Sequence, residues 1–494
     1  MLPRRWLGLV VVPILVVLAA RADEPRPLQF QVTYSKQSLG TPFTGRVFVV
    51  ASKAALGSGP ARVSWFKTEP FYAMDVKAWQ PDTPLTFQPV AQFPQPLAKM
   101  PPGKYYVQAV LDRDLGGQSC MSSQGNLYSK PLVVKLDPAK SGIVKLTVDQ
   151  NVAPRKFEEK PRVKLVDIES KLLSEFHGKP MRLRAGVALP KSFDENPDKK
   201  YPVVYEIPGF GGDHFMAQFM TGRTDVAGVE MIHVVLDPAC RLGHHVFADS
   251  ANNGPCGRAL IEELIPHLEK TWRGIGRPSA RFVTGHSSGG WSSLWLQIAY
   301  PDFFGGVWST APDPVDFRDF QMVDIYEPNT NIFTDAKGEK RPLARSRGKV
   351  TLYYQPFSDM EVVMGRGGQL FSFEAVFGPR GADRKPRPLW DRTTGRIDAA
   401  VAEAWKKYDI RLILDNNWPT LAPKLAGKLH VYMGGEDTFY LDGATRLLQT
   451  SLKKLGSDAK VEIFEGRDHG TLMDGALRKR IANEMAEQFR KGQS

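Results

Sequence analysis

Gly285-His286-Ser287-Ser288-Gly289 follows the apolar run Ala280–Thr284 and opens the helical pattern Ser288–Tyr300. A serine between glycines at a strand-to-helix turn is the nucleophile-elbow pattern. So sharp a turn strains the backbone of its central residue, and small neighbours keep that residue from colliding with adjacent chain. It also presents the Ser287 hydroxyl at a helix N-terminus, where free N–H groups and the helix dipole favour developing negative charge. An α/β fold with this turn at the edge of a mostly parallel sheet is the expectation.

The surrounding sequence keeps the same rhythm. Apolar runs at Arg184–Leu189, Pro202–Ile207, Met231–Leu236, Gly305–Ser309, Lys428–Met433 and Lys460–Phe464 read as strands. Helical patterns alternate with them at Gly257–Trp272, Ser288–Tyr300, Gly443–Leu455 and near the C-terminus, which implies helices on both faces of the sheet. In the first of these, Leu260, Ile261, Leu264, Ile265 and Leu268 form one buried stripe, and Pro266 is expected to bend it. Residues 312–421 interrupt the rhythm with an Arg-, Gly- and Pro-rich stretch. An interruption this long is expected to be a lid or substrate-binding insertion, with a surface decoration as the plainer reading.

A serine nucleophile needs a base, and the base needs an orienting acid. Elbow folds supply them in the order serine, acid, histidine. Only His430 and His469 follow Ser287. His430 lies inside a strand, whereas His469 follows one in Glu465-Gly466-Arg467-Asp468-His469-Gly470, so His469 is the expected base. Asp437, in Gly434-Gly435-Glu436-Asp437 after the preceding strand, is the expected acid; Glu436 and Asp442 are weaker neighbours, and Asp313 is a positional alternative. The oxyanion hole should combine the N–H of Ser288 with one from Pro208-Gly209-Phe210-Gly211-Gly212. Phe210 is the first choice for that second donor and Gly211 the next, a plain tight turn being the alternative.

Residues 27–150 read differently, as short β-rich runs at Leu28–Tyr34, Gly45–Val50, Ala61–Phe66, Lys104–Leu111 and Leu132–Leu136 between Gly, Pro and Ser clusters. They predict a small β-sandwich over residues 23–155, ahead of a catalytic domain at 156–494. For Trp65, Phe66, Phe71, Tyr72 and Trp79, core packing is favoured over a sugar-binding platform.

Residues 1–22 read as a signal peptide: Arg4 and Arg5, the apolar run Trp6–Ala20, then Ala20-Arg21-Ala22 as a cleavage site. An exported protein, periplasmic or secreted, is the expectation. Removal of that segment takes three arginines and no acid from a formal charge of +12. The surplus is scattered, without the basic and aromatic stripe of a nucleic-acid groove. No later apolar segment is long enough to span a bilayer. With 494 residues, 42% hydrophobic and 24% charged, a disordered polymer and a collagen-like repeat are excluded. Three cysteines without a CxxC pair argue against structural zinc, and the spacing of Cys240 and Cys256 leaves their pairing open.

The region from about residue 160 to 490 resembles the putative esterase family of α/β-hydrolases, which includes esterase D, feruloyl esterases, enterochelin esterases and mycolyltransferases. The resemblance rests on LPKSFD and KKYPVVYEIPGFGG before the elbow, GHSSGG at it, GGEDTFYLDG around the acid and GRDHG around His469. Two departures stand out: Pro208 occupies a place where many relatives carry histidine, and residues 312–421 exceed the minimal family fold. The resemblance implies an exported serine carboxylesterase using Ser287, His469 and Asp437, with no metal or organic cofactor. Its substrate would be a small-molecule or carbohydrate ester of the feruloyl or acetyl type. An acyltransferase on the same triad, or a carbohydrate- or surface-binding protein with a silent hydrolase domain, are the rivals.

Three other features carry weaker signals. His244, His245 and Asp249 have metal-ligand chemistry but read better as a loop lining the site. Gly365-Arg366-Gly367-Gly368 lacks the lysine of a phosphate loop. Arg341, Arg345, Arg347, Arg380, Arg384 and Arg387 are candidates for an anionic substrate group, against the plainer reading of a solvated face.

Overall fold

The structure is a computed structural model that describes residues 26–493, so the expected signal peptide lies outside the described residues. An eight-stranded sheet organises the C-terminal part, in the order β10 (Val163–Ser170), β11 (Met181–Ala188), β13 (Ile232–Leu236), β12 (Val203–Ile207), β14 (Arg281–His286), β15 (Gly306–Thr310), β16 (Leu429–Gly434) and β17 (Lys460–Phe464). The strands from β13 to β17 pair in parallel, while β10 and β11 run antiparallel at one edge.

Alternation along the strands explains why both faces are covered. Val203, Tyr205, Ile207, Val283 and Val307 point into one core, and Val204, Phe282 and Trp308 into another. The first core takes residues from α1 (Lys171–His177), α2 (Cys256–Ala259), α3 (Ile265–Thr271) and α4 (Ser288–Ala299). Each buried Val or Leu in these layers contributes about 1.5–3 kcal/mol. Between α2 and α3, residues Leu260–Leu264 form a π-helical turn just before Pro266, so the expected bend is a local widening of the helix.

The long interruption after β15 packs into that first core as well. It contains α5 (Tyr354–Met364), α6 (Gln369–Phe377), α7 (Ala399–Trp405) and α8 (Ile410–Leu425). Phe317, Phe320, Phe373, Phe377 and Trp405 pack ring against ring, with Phe373 stacked on Phe377 and Trp405 edge-on to Phe317, Phe320 and Phe377, and Phe377 meets Trp291 of α4. Helix α9 (Asp442–Lys454) joins the same core, and α10 (Gly475–Lys491) covers the opposite face through Leu477, Ile481 and Met485.

The N-terminal part is all β. Nine strands, β1 (Arg26–Tyr34), β2 (Phe43–Ser52), β3 (Phe71–Trp79), β4 (Leu85–Phe87), β5 (Ala91–Phe93), β6 (Gly103–Asp112), β7 (Leu127–Ser129), β8 (Leu132–Leu136) and β9 (Ser141–Asn151), form one connected sheet. The short β7 bridges β6 and β9, which joins all nine strands by hydrogen bonds. Its inner faces share a core that includes Phe30, Val32, Val49, Tyr72, Val107 and Leu146. Ala61–Phe66, expected as a strand, is a loop. Phe71, Tyr72 and Trp79 are buried core residues, but Trp65 and Phe66 are not part of this core.

This unit is fastened to the rest of the chain. Phe48, Val50, Phe71, Ala73 and Val110 lie in the catalytic core cluster. Arg366, between α5 and α6, is buried against Asp112 through two 2.7 Å bonds. Arg241 pairs with Asp114, and Arg46 donates to the carbonyls of Val362 and Val363. Arg366→Ala is expected to destabilise the protein by about 3–5 kcal/mol, because Asp112 loses its partner inside the junction. Denaturant unfolding checks this, with Arg366→Met combined with Asp112→Leu expected to recover most of the loss. A cost below about 1 kcal/mol for Arg366→Ala would mean that the pair does not clamp the unit.

Candidate active site

Ser287 stands between β14 and α4 with φ 61° and ψ −127°, a conformation that costs about 1–3 kcal/mol for a residue with a side chain. Its neighbours explain how it survives. A Cβ on Gly285 would strike the Gly289 carbonyl, and one on Gly289 would strike the Ile207 carbonyl. The Ser287 N–H donates to the Thr310 carbonyl at 3.0 Å, tying the turn to β15. Among the described residues the Ser287 hydroxyl makes no hydrogen bond. Serine–histidine bonds are often long without substrate and tighten in the Michaelis complex.

His469 donates from Nδ1 to Asp437 Oδ2 at 2.7 Å. Asp437 is fully buried, and its other oxygen accepts from the Phe439 N–H at 2.8 Å, which fixes the carboxylate plane. Burial acts to lower the His469 pKa, but the Asp437 charge and hydrogen bond, with Asp313 and Asp468 adding to them, outweigh it and raise the value. Beside it the ring of His286 lies 4.6 Å away. Burial and the neighbouring His469 push the pKa of His286 down to about 4, so it packs there as a neutral ring.

The other acids have different partners. Asp313 accepts from the Ser288 hydroxyl at 2.6 Å and from Gln369 Nε2 at 3.4 Å, and burial raises its pKa to about 6. It thus secures the residue after the nucleophile. Asp442 pairs with Arg345, and Glu436 is exposed. His430 stacks on Trp308 and bonds the Val307 carbonyl, a structural role.

The loop after β12 runs directly beside the serine. A Cβ placed on Gly209 would lie 3.3 Å from Ser287 Cβ and 3.9 Å from its Oγ. Gly212 N–H closes the turn on the Gly209 carbonyl at 2.9 Å, and Gly211 has φ +84°. His244 holds the loop from below: Nε2–H donates to the Pro208 carbonyl at 2.8 Å while Nδ1 accepts from Val246 N–H at 3.1 Å. Burial depresses its pKa to about 3, which keeps this tautomer neutral. The candidate metal loop is therefore occupied by internal bonds: His245 Nδ1 accepts from Phe247 N–H, and Asp249 accepts from Gly257 and Arg258 N–H. No three His, Cys, Asp or Glu among the described residues are grouped to hold a metal ion. Cys120, Cys240 and Cys256 are free thiols.

Three of the six candidate arginines serve the scaffold. Arg345 donates to the Asp437 carbonyl at 2.9 Å and to Asp442 at 2.8 Å, clasping the acid loop from the insertion. Arg341 binds the carbonyls of Asn331, Thr334 and Met322, and Arg387 pairs with Asp398. The glycine cluster at 365–368 frames Arg366 in its junction with Asp112. Sequence reasoning gave no role to Gln369 or His286, and none to His244 as a brace of the Pro208 loop. Their partners lie 24 to 81 residues away along the chain.

The raised His469 pKa carries a sign that can be measured. As the expected base, His469 would work only when neutral, so activity would fall as pH drops through its folded-state pKa. The acid limb of kcat/KM is expected above the ordinary histidine value of 6.5. A midpoint at or below that value would show that the Asp437 charge does not dominate the imidazole.

The model of the family described as "Putative esterase" matches residues 178–469, a span that includes Ser287, Asp437 and His469. Similar solved structures include a ferulic acid esterase, 16% identical with a TM-score of 0.42, the match covering 66% of this chain and 98% of that one. An S-formylglutathione hydrolase from Agrobacterium tumefaciens is 13% identical with a TM-score of 0.41, over 66% and 95%. A ferulic acid esterase from Anaeromyces mucronatus is 16% identical with a TM-score of 0.34, over 68% and 94%. No curated protein sequence matches the chain.

Proposed function

The chain belongs to the "Putative esterase" family and is a carboxylic ester hydrolase, and from there we propose that it is an α/β-hydrolase working through an acyl-enzyme on Ser287, His469 and Asp437. His469 Nε2 takes the Ser287 proton as Oγ attacks the ester carbonyl. The charge that develops on the carbonyl oxygen is held by the N–H of Ser288 and one from the Pro208–Gly212 loop, Phe210 first and Gly211 next. His469 then protonates the leaving alcohol, and a water deprotonated by the same ring releases the acid. Asp437 keeps the proton of neutral His469 on Nδ1 and stabilises the imidazolium. The observation that carries this reading is the 2.7 Å bond from His469 to a fully buried Asp437, beside a serine held in a strained elbow.

The ester class belongs to the same proposal: a feruloyl- or acetyl-type ester of a carbohydrate, met outside the cytoplasm. Support for export comes from Arg4, Arg5, the apolar run after them and Ala20-Arg21-Ala22. Release of p-nitrophenol from p-nitrophenyl acetate tests the mechanism. A pre-steady-state burst matching the enzyme concentration is expected, with free acetate as the product. Acetyl transfer to an added alcohol in preference to water would instead make the protein an acyltransferase.

A further inference from the structure

We propose that the N-terminal sheet unit is part of the active site, where Trp65 on its loop between β2 and β3 builds a wall that selects esters bearing a planar aromatic group. The inference deepens the hydrolase reading and rests on it for the identity of the reacting bond. Trp65 is half-buried but lies outside the core of its own unit. Its ring meets Phe210 of the loop beside the nucleophile at 5.6 Å, Phe439 of the acid loop at 6.1 Å and Phe357 of α5 at 5.3 Å. Phe439 in turn sets its edge against the His469 ring at 5.1 Å. Phe66 reaches Phe439 at 6.3 Å and remains 50% exposed.

Five rings from four separate segments therefore converge between the proposed oxyanion loop and the base. A ring needed only for docking would be expected to bury itself against apolar side chains away from the chemistry. Trp65 packs against the large core cluster as a docking ring would, but with Phe66 it also leans on the two loops that carry the serine's proposed partners, and part of the cluster stays open to solvent. Planar apolar groups gain both area burial and face-to-edge contacts on such a surface. An acetyl group is too small to reach across it. The pairs Arg366–Asp112 and Arg241–Asp114 keep the unit, and with it Trp65, in register with the catalytic part.

The test compares Trp65→Ala and Trp65→Phe with the unaltered full chain on methyl cinnamate, 1-naphthyl acetate and methyl acetate. Trp65→Ala is expected to lower the ratio of kcat/KM on an aryl ester to that on methyl acetate by about ten- to hundredfold. Trp65→Phe should recover most of the loss, which a purely structural role would not produce selectively. A loss shared equally by all three esters, or no loss on any, overturns the proposal. Calorimetric binding of the two aryl esters to Ser287→Ala, with and without Trp65→Ala, separates the wall from the chemistry. If the unaltered protein hydrolyses none of the esters, the hydrolase reading fails, and aryl-ester binding that weakens in Trp65→Ala still sustains the wall. Binding unchanged by the substitution overturns it.

Discussion

Ser287→Ala is expected to reduce ester hydrolysis on the order of 10⁶-fold while leaving the fold in place. The size follows from what the oxygen does: without it no acyl-enzyme forms, and only the oxyanion donors and substrate binding remain to assist water. Folding is expected to survive because the Ser287 hydroxyl is uncommitted among the described residues. The elbow is secured instead by Ser287 N–H on the Thr310 carbonyl and by the Ser288–Asp313 bond at 2.6 Å. Alanine meets the same φ of 61° as serine and adds no new collision. Steady-state rates beside a thermal unfolding curve check both halves. A variant that keeps more than about one-hundredth of the activity would mean that another group attacks the ester.

Asp437→Asn is expected to cost about 10⁴-fold in kcat with little change in KM. Asparagine fits the same volume, and the loop would still be clasped by Arg345 and by the Gln321 side chain on the Phe439 carbonyl. The loss is electronic. An amide offers no charge to the imidazolium, and its NH₂ favours the tautomer in which Nδ1 accepts and Nε2 is already protonated. Removal of that charge also leaves burial as the main influence on His469, so its pKa should fall. Proton NMR titration of the His469 ring in both proteins checks the direction. A pKa that stays raised in the variant would assign the effect to Asp313 or Asp468.

The proposed catalytic core was legible because its signals are local. β17 coincides with its apolar run, the boundaries of β13, β15, β16 and α4 agree to within one residue, and β14 ends two residues beyond its run. Glycine on both sides of Ser287 reported the elbow because no other residue fits there. Chain order and strand ends pointed to His469 and Asp437 while leaving Asp313 as an alternative, and the 2.7 Å bond joins the first pair. What escaped depends on contacts between distant segments. Ala61–Phe66 alternates like a strand, yet its rings turn toward Phe210, Phe357 and Phe439, which no period can announce. The three-residue β7 stitches the N-terminal sheet together and is too short to give a pattern. Arg345 looked like a member of a solvated arginine face, and Arg366 like part of a bare glycine cluster. Each is partly or wholly buried by a partner that folding delivers, Asp442 to one and Asp112 to the other.

The identity of the proposed nucleophile is reported in one experiment by a serine-directed phosphonate. The full chain would be treated with the reagent, weighed intact and mapped by peptide mass. One adduct per chain on Ser287, absent from Ser287→Ala, is the predicted result. An adduct on another residue, or none while ester hydrolysis proceeds, would contradict the account.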